Sequence, residues 1–169
     1  MVESSLGLDV LETTNFGHQI KPTTMYKGLL DLHNVLRWLI LLFLLIALFQ
    51  SFAKSPGVRK SSLWLMICAH LTLLVGLYQW FAGQLGYKMI QSAGFSAVMK
   101  DSATRFWAIE HITGMLIAII LITIGRGKAK VLNYKAASWL FLIALIIILA
   151  TIPWPFREGI ARPWFPGMK

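Results

Sequence analysis

Cysteine is almost absent from this chain of 169 residues, because Cys68 is the only one and it lies inside an apolar run. A single cysteine excludes a disulfide framework and any CxxC pair. Acidic residues are also few, with 7 Asp and Glu against 16 Lys and Arg. The basic residues cluster beside apolar runs, as membrane-flanking charges do, so we expect no nucleic-acid partner despite the formal charge of +9.

The beginning of the chain lacks the basic start and apolar core of a secretory signal peptide. We interpret residues 1–24 as a polar N-terminal extension. At the other end, prolines between Pro153 and Pro166 prevent a continuing helix. Residues 156–169 are therefore predicted to be an aromatic and proline-rich tail. We expect this tail to lie on partner subunits, with a membrane-interface anchor as the alternative.

Long apolar runs are abundant, since 57% of the residues are hydrophobic. A run of about 20 apolar residues is long enough to cross a bilayer as a helix. Four runs approach or exceed this length: Leu29–Phe52, Leu63–Ala82, Phe106–Ile124 and Ala136–Ile152. They do not alternate with period two, which excludes barrel strands. The sequence thus predicts an all-α membrane protein, with a four-helix transmembrane bundle in residues 25–155 surrounded by the lipid bilayer.

The connections between these runs predict the orientation. The loops after the first and third runs contain no acidic residue and carry a dense set of bases: Lys54, Arg59, Lys60, Arg126, Lys128, Lys130 and Lys135. Short basic loops stay in the cytoplasm. We therefore expect both termini on the non-cytoplasmic side of a bacterial inner membrane, which the chain crosses several times.

Three of the four runs contain one histidine each, namely His33, His70 and His111. A lone membrane histidine can be a packing residue, but three on separate spans indicate ligands that face the bundle interior. His111 lies roughly 8 Å from the external end of its span, and counting along the second span brings His70 within a few ångströms of that level. We expect His70 and His111 to form the pair, with His33 and His111 as the rival pair.

Two facing imidazoles suit haem better than zinc. Zinc prefers four ligands and would recruit Glu110 or Asp31, whereas haem iron needs only two axial ligands. No CxxCH attachment site exists, so the sequence predicts haem b, with iron bound by His70 and His111 or alternatively His33.

Other residues near the histidines would complete a haem site. Gly114 lies three residues after His111 and leaves room for a macrocycle, although small residues equally mark helix contacts. Arg37 and Arg105 are candidates for binding the haem propionates. For Glu110, we favour an ion pair with one of these arginines over a proton-relay role.

Several segments together resemble a known family: "LHNVLRW", "AHLTLLVGLYQWF", "MKDSATRFWAIEH", "IAIILITIGRGKAK" and "ILATIPWP". They are similar to small four-helix bacterial membrane proteins labelled cytochrome b-like, over about residues 25–155. The resemblance implies that His33, His70 and His111 occupy that family's histidine positions, Arg37 its span-one arginine and Glu110 its acid. Ile112 departs from the pattern, because the family has proline at that position.

The function expected from these features is electron transfer. The chain would be a b-type cytochrome-like subunit of a larger respiratory or photosynthetic complex, without a catalytic site of its own, and would exchange electrons with quinol or other subunits. The alternative is a cofactor-free accessory subunit whose polar residues join helices. A metal-handling membrane protein is a weaker third possibility.

Overall fold

The structure is a computed structural model that describes residues 24–168. Within that range every regular element is helical: α1 (Thr24–Phe52), α2 (Val58–Ala82), α3 (Tyr87–Ala93), α4 (Phe95–Lys100), α5 (Ser102–Arg105), a π-helical turn (Phe106–Glu110), α6 (His111–Lys130) and α7 (Tyr134–Thr151). Four segments are long and apolar enough to cross a membrane, centred on α1, α2, α6 and α7. The prediction of a four-helix membrane protein is confirmed at this level.

The four long helices pack in a ring. Helix α1 lies against α2 and α7, and α6 lies against the same two neighbours. Short turns at residues 53–57 and 131–133 join α1 to α2 and α6 to α7, which makes these neighbours antiparallel. As a result, α1 and α6 face each other diagonally across the centre of the bundle.

One half of the bundle is tightly packed. Leu44, Leu65 and Phe141 are fully buried there, together with alanines that let the helices approach closely. One close approach is at Gly125 on α6, where an added Cβ would lie only 2.6 Å from Cε1 of Phe141. We call this half, around Leu44 and Phe141, the packed half.

The outer surface of the bundle is apolar. Large hydrophobic side chains point outward along all four spans, among them Phe49, Phe52, Trp64, Leu74, Phe81, Ile120, Trp139 and Ile146. Apolar residues on the outside and alanines on the inside are what a helix bundle in hydrocarbon requires. The four spans therefore indicate contact with a lipid bilayer.

The C-terminal tail folds back along the bundle. Trp38 on α1 stacks on Trp164 and Phe165, with ring centroids 6.0 and 5.4 Å away, and its Nε1 donates a hydrogen bond of 2.9 Å to the carbonyl of Trp164. The sequence favoured a partner subunit as the surface beneath the tail. In the structure the tail lies against the chain's own first helix, where the Trp38 ring offers a stacking surface.

Candidate functional site

The half of the bundle opposite the packed half encloses a cavity of about 380 Å³. Its walls come from all four long helices, the loop after α2, the π-helical turn and the residues that follow α7. The polar groups in the walls are the side chains of Tyr26, Lys27, Asp31, His33, Asn34, Arg37, Thr72, Gln79, His111 and Arg162. A cavity of this size, mostly apolar with a few convergent polar groups, is typical of a site for a small molecule or cofactor.

Two histidines face each other in this cavity. His33 on α1 and His111 on α6 come from the diagonal helices, and their ring centroids are 6.4 Å apart. Metal–imidazole bonds are about 2 Å long, so two imidazoles on opposite sides of one metal have ring centres roughly 6 Å apart. The separation of His33 and His111 therefore leaves room for one metal centre between them.

A hydrogen bond fixes the ring of His111. Its Nδ1 lies 2.8 Å from the carbonyl oxygen of Thr151, which can only accept, so Nδ1 is the protonated nitrogen. Nε2 is then the nitrogen with a free lone pair. Ligating histidines are usually held in this way, with the second nitrogen donating to a carbonyl or carboxylate.

Gly114 makes this hydrogen bond possible. It lies one turn after His111 on the same face of α6, and a Cβ at Gly114 would collide with the side chain of Thr151. Gly114 does not line the cavity. The sequence left two roles for Gly114, room for a macrocycle or a helix contact, and the structure favours the helix contact. This contact between α6 and α7 brings the Thr151 carbonyl to His111.

The backbone just before His111 is irregular. Residues 106–110 form a π-helical turn, in which the carbonyl of Ala108 accepts a hydrogen bond of 2.9 Å from Nε1 of Trp80 on α2. Single π-turns within α-helices are frequent at functional sites because they shift the helical register. This turn sets the rotation at which α6 begins and hence the direction of the His111 side chain.

His33 is placed differently from His111. Its Nδ1 is buried and has no hydrogen-bond partner among the described residues. Next to it, α2 carries Gly76, where an added Cβ would lie 3.2 Å from Cε1 of His33. The missing side chain at Gly76 lets the imidazole lie against α2, and the unpartnered nitrogen leaves it capable of a further bond.

His70 lies on the outside of the bundle. Its side chain is exposed, its Nδ1 is 2.8 Å from the carbonyl of Met66, and it lies in a shallow depression of apolar α2 residues. It does not line the central cavity. The expected proximity of His70 to His111 is therefore not found, because the side chain points to another face of α2, and the structure favours the rival pair.

The two arginines predicted to bind the propionates lie in different places. Arg37 lines the cavity, whereas Arg105 does not. Nε of Arg105 forms an ion pair of 2.6 Å with Oε1 of Glu110, and its Nη1 donates to the carbonyl of Met99. The ion-pair role predicted for Glu110 is confirmed, with Arg105 as its partner.

Sequence reasoning missed a second cavity arginine. Arg162, in the tail, lines the cavity, and its guanidinium lies 4.8 Å from the centre of the Trp107 ring. Desolvation lowers the pKa of Arg162, while the nearby Tyr26 hydroxyl acts in the opposite direction. Only the basic character of the tail hinted at this role, since no periodicity relates Arg162 to the helices.

Within residues 24–168, no three His, Cys, Asp or Glu side chains come together in a group that could hold a metal ion. A metal bound by three or four protein ligands has no support in that part of the chain, whereas a metal that needs two is compatible with His33 and His111. Comparison of the chain with protein-family models, with curated proteins and with solved structures finds no match.

Proposed function

We propose that this protein is a b-type cytochrome of a bacterial inner membrane that transfers electrons as a subunit of a larger respiratory or photosynthetic complex. In this proposal His33 and His111 would hold haem b in the central cavity. The observation that supports it best is the 6.4 Å separation of two facing imidazoles across a cavity. His70, preferred on depth alone, is replaced by His33 because it faces outward.

The donor set agrees with haem on chemical grounds. Haem iron takes two axial imidazoles and its porphyrin supplies the remaining four ligands. The buried, unpartnered Nδ1 of His33 also fits, since a bound group could give it a partner. Zinc would instead require further protein donors.

The protein's own residues would do three things around this group. The Thr151 carbonyl would orient His111, Gly76 would let the His33 imidazole pack against α2, and the apolar helices would keep water away from both imidazoles. When bound, haem b supplies reversible one-electron exchange. A single centre near one end of the bundle cannot carry electrons across the whole bilayer, so quinol or other subunits of the complex would be the electron partners.

The alternative, a cofactor-free accessory subunit, predicts that the buried polar groups satisfy one another. Three of them in this half, Nδ1 of His33, Oδ1 of Asn34 and Nε of Arg37, are buried without a partner among the described residues. Unpaired buried polar groups are costly, so native structures contain few of them. This favours a bound group over a purely structural role.

A reduced-minus-oxidised visible spectrum tests the proposal. The purified protein should show a Soret band and a sharp α-band after dithionite reduction, and its haem should be extractable into acidified acetone. His33→Ala and His111→Ala should each abolish the low-spin spectrum, because each removes one axial ligand. His70→Ala is the matched control and should keep it.

Three outcomes contradict parts of the proposal. A colourless preparation from haem-replete cells would favour the accessory subunit. Loss of the spectrum in His70→Ala, with retention in His33→Ala, would restore the pair expected from the sequence. Full haem retention in His111→Ala would exclude the site altogether.

The proposed orientation places the histidine half on the non-cytoplasmic side. In a chain with Cys68 replaced by alanine, cysteines at the exposed positions Ala53 and Lys128 should react with an impermeant maleimide only after the membrane is opened. A cysteine at Phe165, in the tail, is the matched control and should react in intact spheroplasts. The reverse pattern would invert the topology.

A further inference from the structure

The C-terminal tail forms part of the cavity wall. Arg162, Pro163, Pro166 and Gly167 line the same cavity as the two histidines, although more than 40 residues separate them from His111. Prolines stiffen this segment, so it loses little conformational entropy when it is held in one place. Because the tail lies outside the four spans, it can be changed without altering a transmembrane helix.

Arg37 and Trp38 on α1 hold the tail in position. Nη2 of Arg37 donates to the carbonyls of Trp164 and Pro163, at 2.8 and 3.3 Å, and Nε1 of Trp38 donates to the same Trp164 carbonyl at 2.9 Å. These bonds use the far end of the Arg37 guanidinium. Nε of Arg37 remains buried and unpartnered.

The cations at the cavity lack carboxylate partners. In the part of the chain that the structure describes, the one ion pair joins Arg105 to Glu110, away from the cavity. Arg37 and Arg162 both line the cavity without an ion pair, and the single carboxylate in its walls, that of Asp31, forms none either. Nε of Arg37 is buried without a partner, and Arg162, although exposed, adds a second guanidinium without an ion pair to the same wall, so a ligand with negative charge of its own is favoured there.

We infer that Arg162, together with Nε of Arg37, binds the carboxylate groups of the porphyrin, so that the tail acts as a clasp completing the cofactor site. This inference rests on the proposed function. Guanidinium groups bind carboxylates through paired, charge-assisted hydrogen bonds. Arg37 both holds the tail and lines the cavity, so one side chain would position the tail and bind a carboxylate.

Reconstitution of the full-length apoprotein in detergent tests the inference. The probes are haem and haem dimethyl ester, which differ only in whether the two carboxylates are free. Wild-type protein should bind haem at least about tenfold more tightly than the ester, since hydrogen bonds to charged groups contribute most when both partners are present. In Arg162→Gln this preference should fall to roughly two- to threefold, while binding of the ester stays unchanged.

Two further variants complete the design. Arg162→Lys keeps the charge and should restore part of the preference for haem. Arg105→Gln removes a charge that is already paired with Glu110 and should leave the preference at the wild-type value. Unchanged ester binding in Arg162→Gln shows that this variant is folded.

The inference is overturned if Arg162→Gln weakens haem and its ester equally, or leaves the preference for haem intact. It is also overturned if Arg105→Gln, and not Arg162→Gln, removes that preference. Failure of the proposed function looks different, because wild-type protein would then bind neither porphyrin.

Discussion

In the half of the bundle around Leu44 and Phe141, the four helices pack directly against one another, whereas around His33 and His111 the same helices enclose a cavity of about 380 Å³. The packed half contains fully buried apolar side chains and alanines. The histidine half contains three buried polar atoms without partners among the described residues, against one, Nη1 of Arg126, toward the opposite end of the bundle. The packed half therefore supplies most of the apolar core, and the histidine half is where the proposed cofactor would bind.

The largest expected effect comes from adding a side chain to a glycine in each half. Gly125→Leu forces a side chain into the Phe141 ring and should prevent folding, seen as loss of a monodisperse peak in detergent. Gly76→Leu displaces the His33 imidazole that lies against Gly76, and should leave a folded protein that no longer binds haem. If both variants fold equally well, the two halves do not differ as described.

Removing side-chain volume from the packed half should lower stability without affecting haem binding. Phe141→Ala leaves a void in the packed half and should lower the free energy of unfolding by about 3 kcal/mol, measured by denaturant titration in detergent. The haem spectrum of the protein that remains folded should be unchanged. A shifted spectrum with full stability would contradict this division of roles.

A smaller effect is expected at Gly114, where α6 packs against α7 next to His111. Gly114→Ala pushes Thr151 away and weakens its hydrogen bond to His111, so haem affinity should fall by about tenfold, as for other partners of metal-bound histidines. Gly127→Ala is the matched control, because an added Cβ meets nothing within 4 Å there. Equal affinities in the two variants would show that Thr151 does not support His111.

The smallest effect is expected from Trp38→Phe, which keeps an aromatic ring against the tail but loses its hydrogen bond to Trp164. One such bond contributes about 1 kcal/mol, so transfer of haem to an excess of apomyoglobin should become a few times faster. Trp139→Phe, on the outer surface, is the control and should transfer haem at the wild-type rate. Unchanged transfer in Trp38→Phe would mean that the tail does not retain the cofactor.

The four spans were predictable because apolar runs of bilayer length leave few alternatives to helices. The histidine pairing was not, because depth was counted along α2 without its rotation. Ala69, Thr72, Leu73 and Gly76 line the cavity at helical spacing, and His70 lies about 100° away from Ala69 around the helix. Leu77, seven residues after His70 and on the same face of α2, also lines the cavity, so helical spacing alone does not turn His70 outward.

The return of the tail to the bundle could not be read in the same way. Residues 153–168 contain several prolines and have no helical or strand periodicity, so nothing in their order predicts which surface they meet. That surface depends on the carbonyls of Pro163 and Trp164, and backbone carbonyls are the same in every sequence. The role of Arg162 followed only from tertiary structure.

The diagonal placement of His33 and His111 has a consequence for assembly. They lie on α1 and α6, which are not neighbours in the ring, so a group bound between them would link two helices that pack chiefly against α2 and α7. A ligand that binds only the folded bundle raises its stability by mass action. Chains made while haem is scarce would then be less resistant to unfolding and to membrane proteases than loaded ones, and the amount of this protein would follow the supply of its cofactor.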